Sequence, residues 1–410
     1  MTDAITARYP ALGFPLYRRY FFASFASVGA TQFATLAQGW LVFELSGSAL
    51  DLGLLGAAAA LPNIVVSLFG GVVADRFDKR RIILVASAFT AALLLLLSLL
   101  DALDLARVWH VWLVAGLVSV VTGIEWPTRQ AIFPHLIERP ALMSAVALNS
   151  FIWQSTRMVM PALAGVLIAA TDTAFVFALA AVGYLVMCLV MATLTVELPR
   201  HDHAGSALEQ IREGLHFIWT NELFRWLIAL SFAGMFFANA YVQIMPAFAA
   251  ALGAAETGYG VLLSASGLGS VVGTLVVGLV QRGRPLGVVL LTAAAISGAC
   301  LYPFVLAVSL GWYPLALTAV FAVAVGSSIF MIVSMTALQL AVPDALRGRV
   351  MGIHSITYSL IPLGGLFLGA IADRASAAAA VAVGATAFIV CVALVAATRP
   401  TIRGLRSHAA

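Results

Sequence analysis

Apolar residues run through this chain in long blocks, with none of the one-face striping of a helix or strand that faces water. Stretches with almost no charge cover 20–43, 52–74, 82–100, 108–128, 145–170, 173–196, 224–250, 258–281, 286–310, 313–336, 350–371 and 376–397. A bilayer crossing takes about 20 apolar residues. The pattern therefore predicts an all-α membrane protein with twelve transmembrane helices. Glycine and proline inside such spans are tolerated, because neighbouring helices re-satisfy the backbone. Composition agrees: 62% of the 410 residues are hydrophobic and 10% charged. Soluble chains carry about 25% charged residues. Little is left outside the spans, so no soluble catalytic domain is expected.

The longest polar interval, 197–223, follows the sixth span. Within it Ser206 and Glu209 have capping-box spacing. Leu208, Ile211, Leu215 and Ile218, with Trp219 beside them, have the spacing of an amphipathic helix lying along a membrane face. The chain thus divides into an N-terminal six-helix bundle (1–196), a linker (197–223) and a C-terminal six-helix bundle (224–410). The bundles look like repeats. Shifting by about half the chain lays TRMVMPALAGVLIAATD (156–172) on TYSLIPLGGLFLGAIAD (357–373), so that Thr156 meets Thr357, Pro161 meets Pro362 and Asp172 meets Asp373. A similar shift pairs Gly53, Leu61 and Gly71 with Gly260, Leu268 and Gly278. Half-chain repeats are what a two-bundle transporter needs.

Charge then sets orientation. With the N-terminus placed in the cytoplasm, nearly all of the 22 lysines and arginines fall on the inner side. Only Arg107 and Arg374 fall outside, and Arg157 lies within a span. This bias predicts both termini inside; the opening stretch does not read as a cleavable signal peptide. The basic balance thus speaks of topology, and no nucleic-acid partner is expected. The densest cluster is Asp75, Arg76, Asp78, Lys79, Arg80 and Arg81, between spans 2 and 3, and it contains the chain's single lysine. Cys188, Cys300 and Cys391 fall within apolar blocks and suit small core residues; neither a disulfide framework nor a metal site is expected.

The loop Gly70–Arg81 resembles the turn between the second and third helices of the major facilitator superfamily, with Gly71, Asp75, Arg76, Arg80 and Arg81 at the matching positions. Residues 40–81, 124–169 and 347–365 are similar to the proton-driven efflux branch that includes the enterobactin exporter and macrolide efflux pumps. Pro161-Ala-Leu-Ala-Gly165 resembles the antiporter signature of span 5, with Met160 where that signature has glycine. The resemblance implies export of a small amphipathic molecule (a drug, macrolide or siderophore-like compound) by alternating access, with protons as coupling ion. It implies a monomer in the bacterial inner membrane. It further implies a cytoplasmic gate at the loop, to which the Glu125-x-Pro127-x-Arg129-Gln130 pattern adds Glu125 and Arg129. The alternative for the loop is a topology signal alone. For Glu125 and Arg129 the readings are a gate or structural i,i+4 pair, and a protonation role.

Arg157 is the sharpest single position. Counted from Ala145 it lies about 18 Å into span 5, near mid-bilayer, where an arginine costs at least about 2.5 kcal/mol unless it meets a partner or water. Gln154 shares its face, and Tyr358 is its repeat partner. A cavity-lining role and a structural arginine held by backbone carbonyls both fit. Gln32, Gln38, Asn239 and Gln243 are further candidates for the substrate or proton pathway, each equally suited to a helix–helix hydrogen bond. His354 lies only a few residues into its span. No Walker loop, Gly-x-Ser-x-Gly, His-Glu-x-x-His or intramembrane carboxylate pair occurs, so neither an enzyme nor a cofactor is expected. The remaining alternatives are a proton-coupled importer of a small metabolite and a non-transporting sensor on the same scaffold.

Overall fold

The computed structural model describes residues 9–194, 207–279, 285–343 and 346–405, with the side chains of 67–76 and 207–211 outside the description. Among the described residues the chain is helical throughout. Six long helices come first: α1 (Pro15–Ser46), α2 (Ala49–Arg76), α3 (Lys79–Ala102), α4 (Val108–Ile132), α5 (Leu142–Ala170) and α6 (Thr173–Thr193). The short α7 (Ala207–Thr220) follows, then α8 (Glu222–Ala233) and α9 (Met245–Ala251), with irregular turns between them. The chain continues with α10 (Ala255–Gly278), α11 (Leu286–Ala299), α12 (Leu301–Leu310) and α13 (Tyr313–Ala341). It ends with α14 (Arg347–Ser355), α15 (Leu360–Arg374) and α16 (Ala377–Thr398) before a last short turn.

Eleven helical segments among the described residues are long and apolar enough to cross a membrane. The expected first span, 20–43, forms part of α1 but is not one of the eleven. Ser24, Ser27, Thr31, Gln32, Thr35 and Gln38 dilute its apolarity, although α1 has 32 residues.

The chain forms two compact units. Unit 1 comprises Met1–Leu45 and Ala58–Ala204; unit 2 comprises Ser46–Ala57 and Gly205–Ala410. The start of α2 therefore groups with the second half of the sequence. In unit 1 an apolar cluster joins α1 (Tyr17, Tyr20, Phe21, Val28), α3 (Ile83), α5 (Ala145, Leu148, Ile152) and α6 (Met187, Met191). Close approach is bought by small residues: a Cβ at Gly183 would strike the Ala26 carbonyl and Ala30. Unit 2 uses interhelical hydroxyl pairs as well, Ser231–Ser334 at 2.8 Å and Ser297–Ser327 at 2.7 Å.

Local caps explain several helix starts. Asp78 accepts from the Arg80 and Arg81 amides and begins α3. Asp172 accepts from Phe175 at 2.6 Å and begins α6. Asn221 begins α8 and Ser376 begins α16. The capping box expected at Ser206 and Glu209 lies outside the described residues. The expected amphipathic helix is α7, and it is anchored to protein. Glu213 pairs with Arg349 of α14 at 2.5 Å, and Ile218 is buried while Leu215 and Trp219 are exposed.

Candidate functional site

Unit 1 carries a buried polar cluster on α4. Pro127 has no N–H to give its preceding turn, and it sits between Glu125 and Arg129, which face each other one turn apart. Arg129 donates from Nε at 2.8 Å and from Nη2 at 2.6 Å, both to Glu125 Oε1. Its Nη1 donates to Ser27 Oγ of α1 at 2.9 Å. Ser87 of α3 reaches the same carboxylate oxygen at 3.5 Å, and the Tyr20 hydroxyl lies 3.5 Å from the Arg129 carbonyl. The two charged side chains are 12% and 6% exposed. Desolvating two ions is offset only by such multiple charge-assisted bonds. Sequence spacing identified the pair. It missed Tyr20, Ser27 and Ser87, whose approach depends on how α1 and α3 pack on α4.

The loop between α2 and α3 is described only in part. The side chains of Gly71, Asp75 and Arg76 lie outside the described residues. Arg80 donates from Nε to the Met191 carbonyl and from Nη2 to the Ala192 carbonyl, each at 2.6 Å. It thereby satisfies carbonyls at the C-terminus of α6, where a cation is favoured. Arg81 lies 3.8 Å from Asp78 and is largely in the open. Lys79 is buried.

Arg157 sits near the middle of α5 with its residue surface exposed, and Gln154 one turn earlier is half-buried. Gln32 and Gln38 are half-buried on α1.

Unit 2 holds a different arrangement. The segment Glu222–Ala251 is broken: α8 passes into a π-helical turn (Gly234–Ala238) and a 3₁₀ stretch (Ala240–Ile244) before α9. Asn239 stands at the joint and donates from Nδ2 to the Gly234 carbonyl at 3.1 Å. Arg347–Arg374 is broken too, with a 3₁₀ turn (Ile356–Ser359) between α14 and α15. The π-helical turn packs against α15, for a Cβ at Gly364 would run into the Phe236 carbonyl. Phe236, Phe237 and Phe367 cluster beside them, with centroid distances of 4.9, 5.7 and 6.1 Å. Tyr358 lies in the 3₁₀ turn and is 56% exposed. His354 is buried near Thr357. Irregular turns of this kind inside long helices recur at functional sites.

Gln243 connects this region to the start of α2. Its Nε2 donates to the Leu52 carbonyl at 3.1 Å, and it lies against Gly56 and Gly365. At the end of α15, Asp373 accepts from Ser48 Oγ at 2.8 Å and from the amides of Ala49 and Leu50 at 2.9 and 3.2 Å. It caps a helix more than three hundred residues away in sequence. Sequence reading named Asp373 only as the residue aligned with Asp172. Its alignment with Asp172 across the two halves gave no sign of this contact.

Among the described residues no group of histidine, cysteine, aspartate and glutamate could hold a metal ion.

Comparison with known proteins gives this architecture a family. The staphyloferrin A transporter of Staphylococcus aureus is 25% identical over 63% of this chain and 66% of that protein, so the chain spans just under two thirds of that relative. The multidrug efflux pump Tap of Mycolicibacterium fortuitum is 26% identical over 86% of this chain and 88% of its own. The enterobactin exporter EntS of Citrobacter koseri is 25% identical over 83% and 80%. Among solved structures, the nucleoside transporter NupG superposes with a TM-score of 0.76 at 12% identity, covering 93% of this chain and 98% of that one. That likeness speaks for the fold alone. The family described as transmembrane secretion effector matches residues 6–407. The chain therefore belongs to the transmembrane secretion effector family of major facilitator transporters, as a multi-pass membrane protein and not an enzyme.

Proposed function

We propose that this chain is a secondary active transporter that exports a small amphipathic molecule by alternating access, in exchange for protons. In this reading α1 is a twelfth span, the bundles are 1–196 and 224–410, and both termini lie in the cytoplasm of a bacterial inner membrane. The observation that carries it is the family match across residues 6–407. The names of Tap, a multidrug efflux pump, and EntS, an enterobactin exporter, support the outward direction.

The geometry supports cargo of mixed character. Arg157 supplies a fixed positive charge at mid-helix, with Gln154 beside it. Tyr358, Asn239 and the Phe236–Phe237–Phe367 cluster supply aromatic and hydrogen-bonding surface at the broken helices of unit 2. Gln32, Gln38 and Gln243 complete the proposed pathway. The loop residues Gly71, Asp75, Arg76, Arg80 and Arg81, with Glu125 and Arg129, form the proposed cytoplasmic gate.

Everted membrane vesicles containing the protein test this with ethidium as trial cargo. Accumulation that requires an acid interior, and that collapses when nigericin dissipates the pH gradient, is the expected result. Accumulation by right-side-out vesicles would reverse the direction. Transport indifferent to the gradient would remove the proton.

A further inference from the structure

Where α8, α16 and the last short turn meet, unit 2 carries a cluster of arginine and tryptophan. The Arg399 guanidinium lies over the Trp226 ring, 4.3 Å from its centroid, and the Arg225 guanidinium stands 5.9 Å from the same ring. Arg225 also donates to the Trp219 carbonyl at 3.2 Å. The carboxylate paired with the cluster is Glu222, which accepts from Arg399 Nη1 at 3.4 Å. Charge-assisted bonds of this type are ordinarily about 2.7–2.9 Å, so this one is long. Arg403, exposed on the last turn, adds a further positive charge. That turn is followed by Leu405, whose carbonyl accepts from the Gly287 amide of α11 at 3.0 Å.

Two donors in the cluster are left over. Arg399 Nε and Trp226 Nε1 are buried, and neither has a hydrogen-bond partner. Buried N–H groups in proteins are almost always paired. Arginines elsewhere in the chain show what such an edge takes. Arg80 and Arg129 both use Nε and Nη2 together, on carbonyls in one case and on a carboxylate in the other. On Arg399 the same edge carries no acceptor among the described residues, and neither does the N–H of the indole it covers. Unpaired N–H groups, a planar fork and an excess of positive charge match an oxyanion with several acceptor oxygens, as a phosphate has.

We propose that Arg399 and Trp226 form a binding site for the phosphate of an anionic phospholipid. Neither residue belongs to the transport pathway proposed above. Placement favours a lipid over free phosphate. The cluster lies at the ends of two membrane-crossing segments, Glu222–Ala251 and Ala377–Thr398. Trp219, tied to the cluster through its carbonyl, is 72% exposed, and Leu394 near the end of α16 is exposed as well. Basic pockets between helix ends hold acidic headgroups, and tryptophan settles at that depth. The phosphate accepts from the Nε–Nη2 edge of Arg399 and from the Trp226 N–H as Arg399 turns away from Glu222. Glu222, released at the start of α8, keeps the favourable end of the helix dipole.

The test uses full-length protein, stripped of lipid in detergent, and a phosphatidylglycerol that carries a photoreactive headgroup. Mass spectrometry of the wild type is expected to map cross-links to the peptides that hold Trp226 and Arg399. Excess unlabelled phosphatidylglycerol should suppress them, and phosphatidylcholine should do so several-fold less well. Cross-links spread evenly over the helix ends, or suppressed equally by phosphatidylcholine, overturn the proposal without any mutation. Inorganic phosphate separates the sources, and at millimolar concentration it is expected to leave the cross-links in place. If it removes them as well as the lipid does, the site takes free phosphate and the lipid assignment falls. Arg399→Lys keeps the charge and loses the fork, and Trp226→Phe keeps a ring and loses the N–H. Each should weaken cross-linking several-fold, while Arg107→Gln, at a helix end of unit 1, should not. Full cross-linking in both Arg399→Lys and Trp226→Phe would reduce the cluster to a general positive patch and overturn the site.

Discussion

The fifth span and its repeat partner near the chain's end begin from similar sequences and end in different structures. α5 is one unbroken helix of 29 residues with Pro161 inside it. The partner is broken by the 3₁₀ turn Ile356–Ser359, just before Pro362. Proline alone is not the cause, because both spans have one. The hydroxyls differ. Ser155 and Thr156 of α5 bond mainly four residues back, to the Phe151 carbonyl at 2.6 Å and the Ile152 carbonyl at 2.7 Å, with longer contacts of 3.3 Å three residues back. Ser355 and Thr357 bond back three residues, to the carbonyls of Gly352 and His354. A three-residue return suits a tightened turn. Thr156 and Thr357 are both fully buried, so the repeat keeps its inward-facing hydroxyl. It diverges at the next residue, where Arg157 stands on a regular helix and Tyr358 on a turn. It diverges again at the far end. Asp172 caps the helix that follows it, whereas Asp373 leaves that task to Ser376 and caps α2 instead. Positions that the sequence aligns across the two halves thus hold up local structure in one half and long-range closure in the other.

The largest expected effect separates Arg157 from Tyr358. Arg157→Gln should lower vesicle transport roughly tenfold or more, since a mid-membrane charge is retained only for function or pairing. Arg157→Lys should recover part of it, lacking the planar fork. Tyr358→Phe, which keeps the ring, should cost far less. Equal losses at the two positions would erase the distinction between the helix and the turn.

Next comes Gly369, where a Cβ would run into the Ala49 carbonyl. Gly369→Ile imitates Ile168, its counterpart in α5, and should destabilise by about 1–3 kcal/mol through overpacking. Thermal unfolding in detergent reads it. An unchanged midpoint would mean that α2 is not held tightly on α15.

Asp373→Ala should cost about 2 kcal/mol, the upper end for a lost cap, because three donors lose their acceptor. Asp172→Ala, which removes a single local cap, should cost about 1 kcal/mol by the same measurement. Reversal of that order would contradict the division of labour between the two aspartates. The smallest effect is Ser376→Ala, at about 0.5 kcal/mol, since its bond to Ala379 lies at an exposed helix start.

Much of this was legible in the residues, and the reasons are local. A block such as 82–100 has no way to be soluble, so the spans followed from hydropathy alone. Glu125 and Arg129 were visible as a pair because four residues on a helix place them on one face. Asp78 as the start of α3 was less visible, since Asp75 and Asp78 compete in the same loop and only backbone geometry selects the cap. The breaks at Gly234–Ala238 and Ile356–Ser359 were not visible. They change the turn of a helix without changing its apolarity, and hydropathy records only apolarity. Asn239 and Gln243 were picked out as polar residues in an apolar span, yet sequence gave no hint that they serve the Gly234 and Leu52 carbonyls.

By itself the sequence determined that this protein is helical and lies in a membrane. Those properties come from the cost of exposing apolar surface to water and backbone polar groups to lipid, which acts on every residue wherever it packs. Only the tertiary structure decided which hydroxyls gather around the Glu125–Arg129 pair, where two of the spans break, and that Asp373 closes onto α2. Those outcomes turn on distances of a few ångströms between residues far apart in the chain. A hydrogen bond falls off steeply over such distances, so composition and spacing along one helix carry no trace of them.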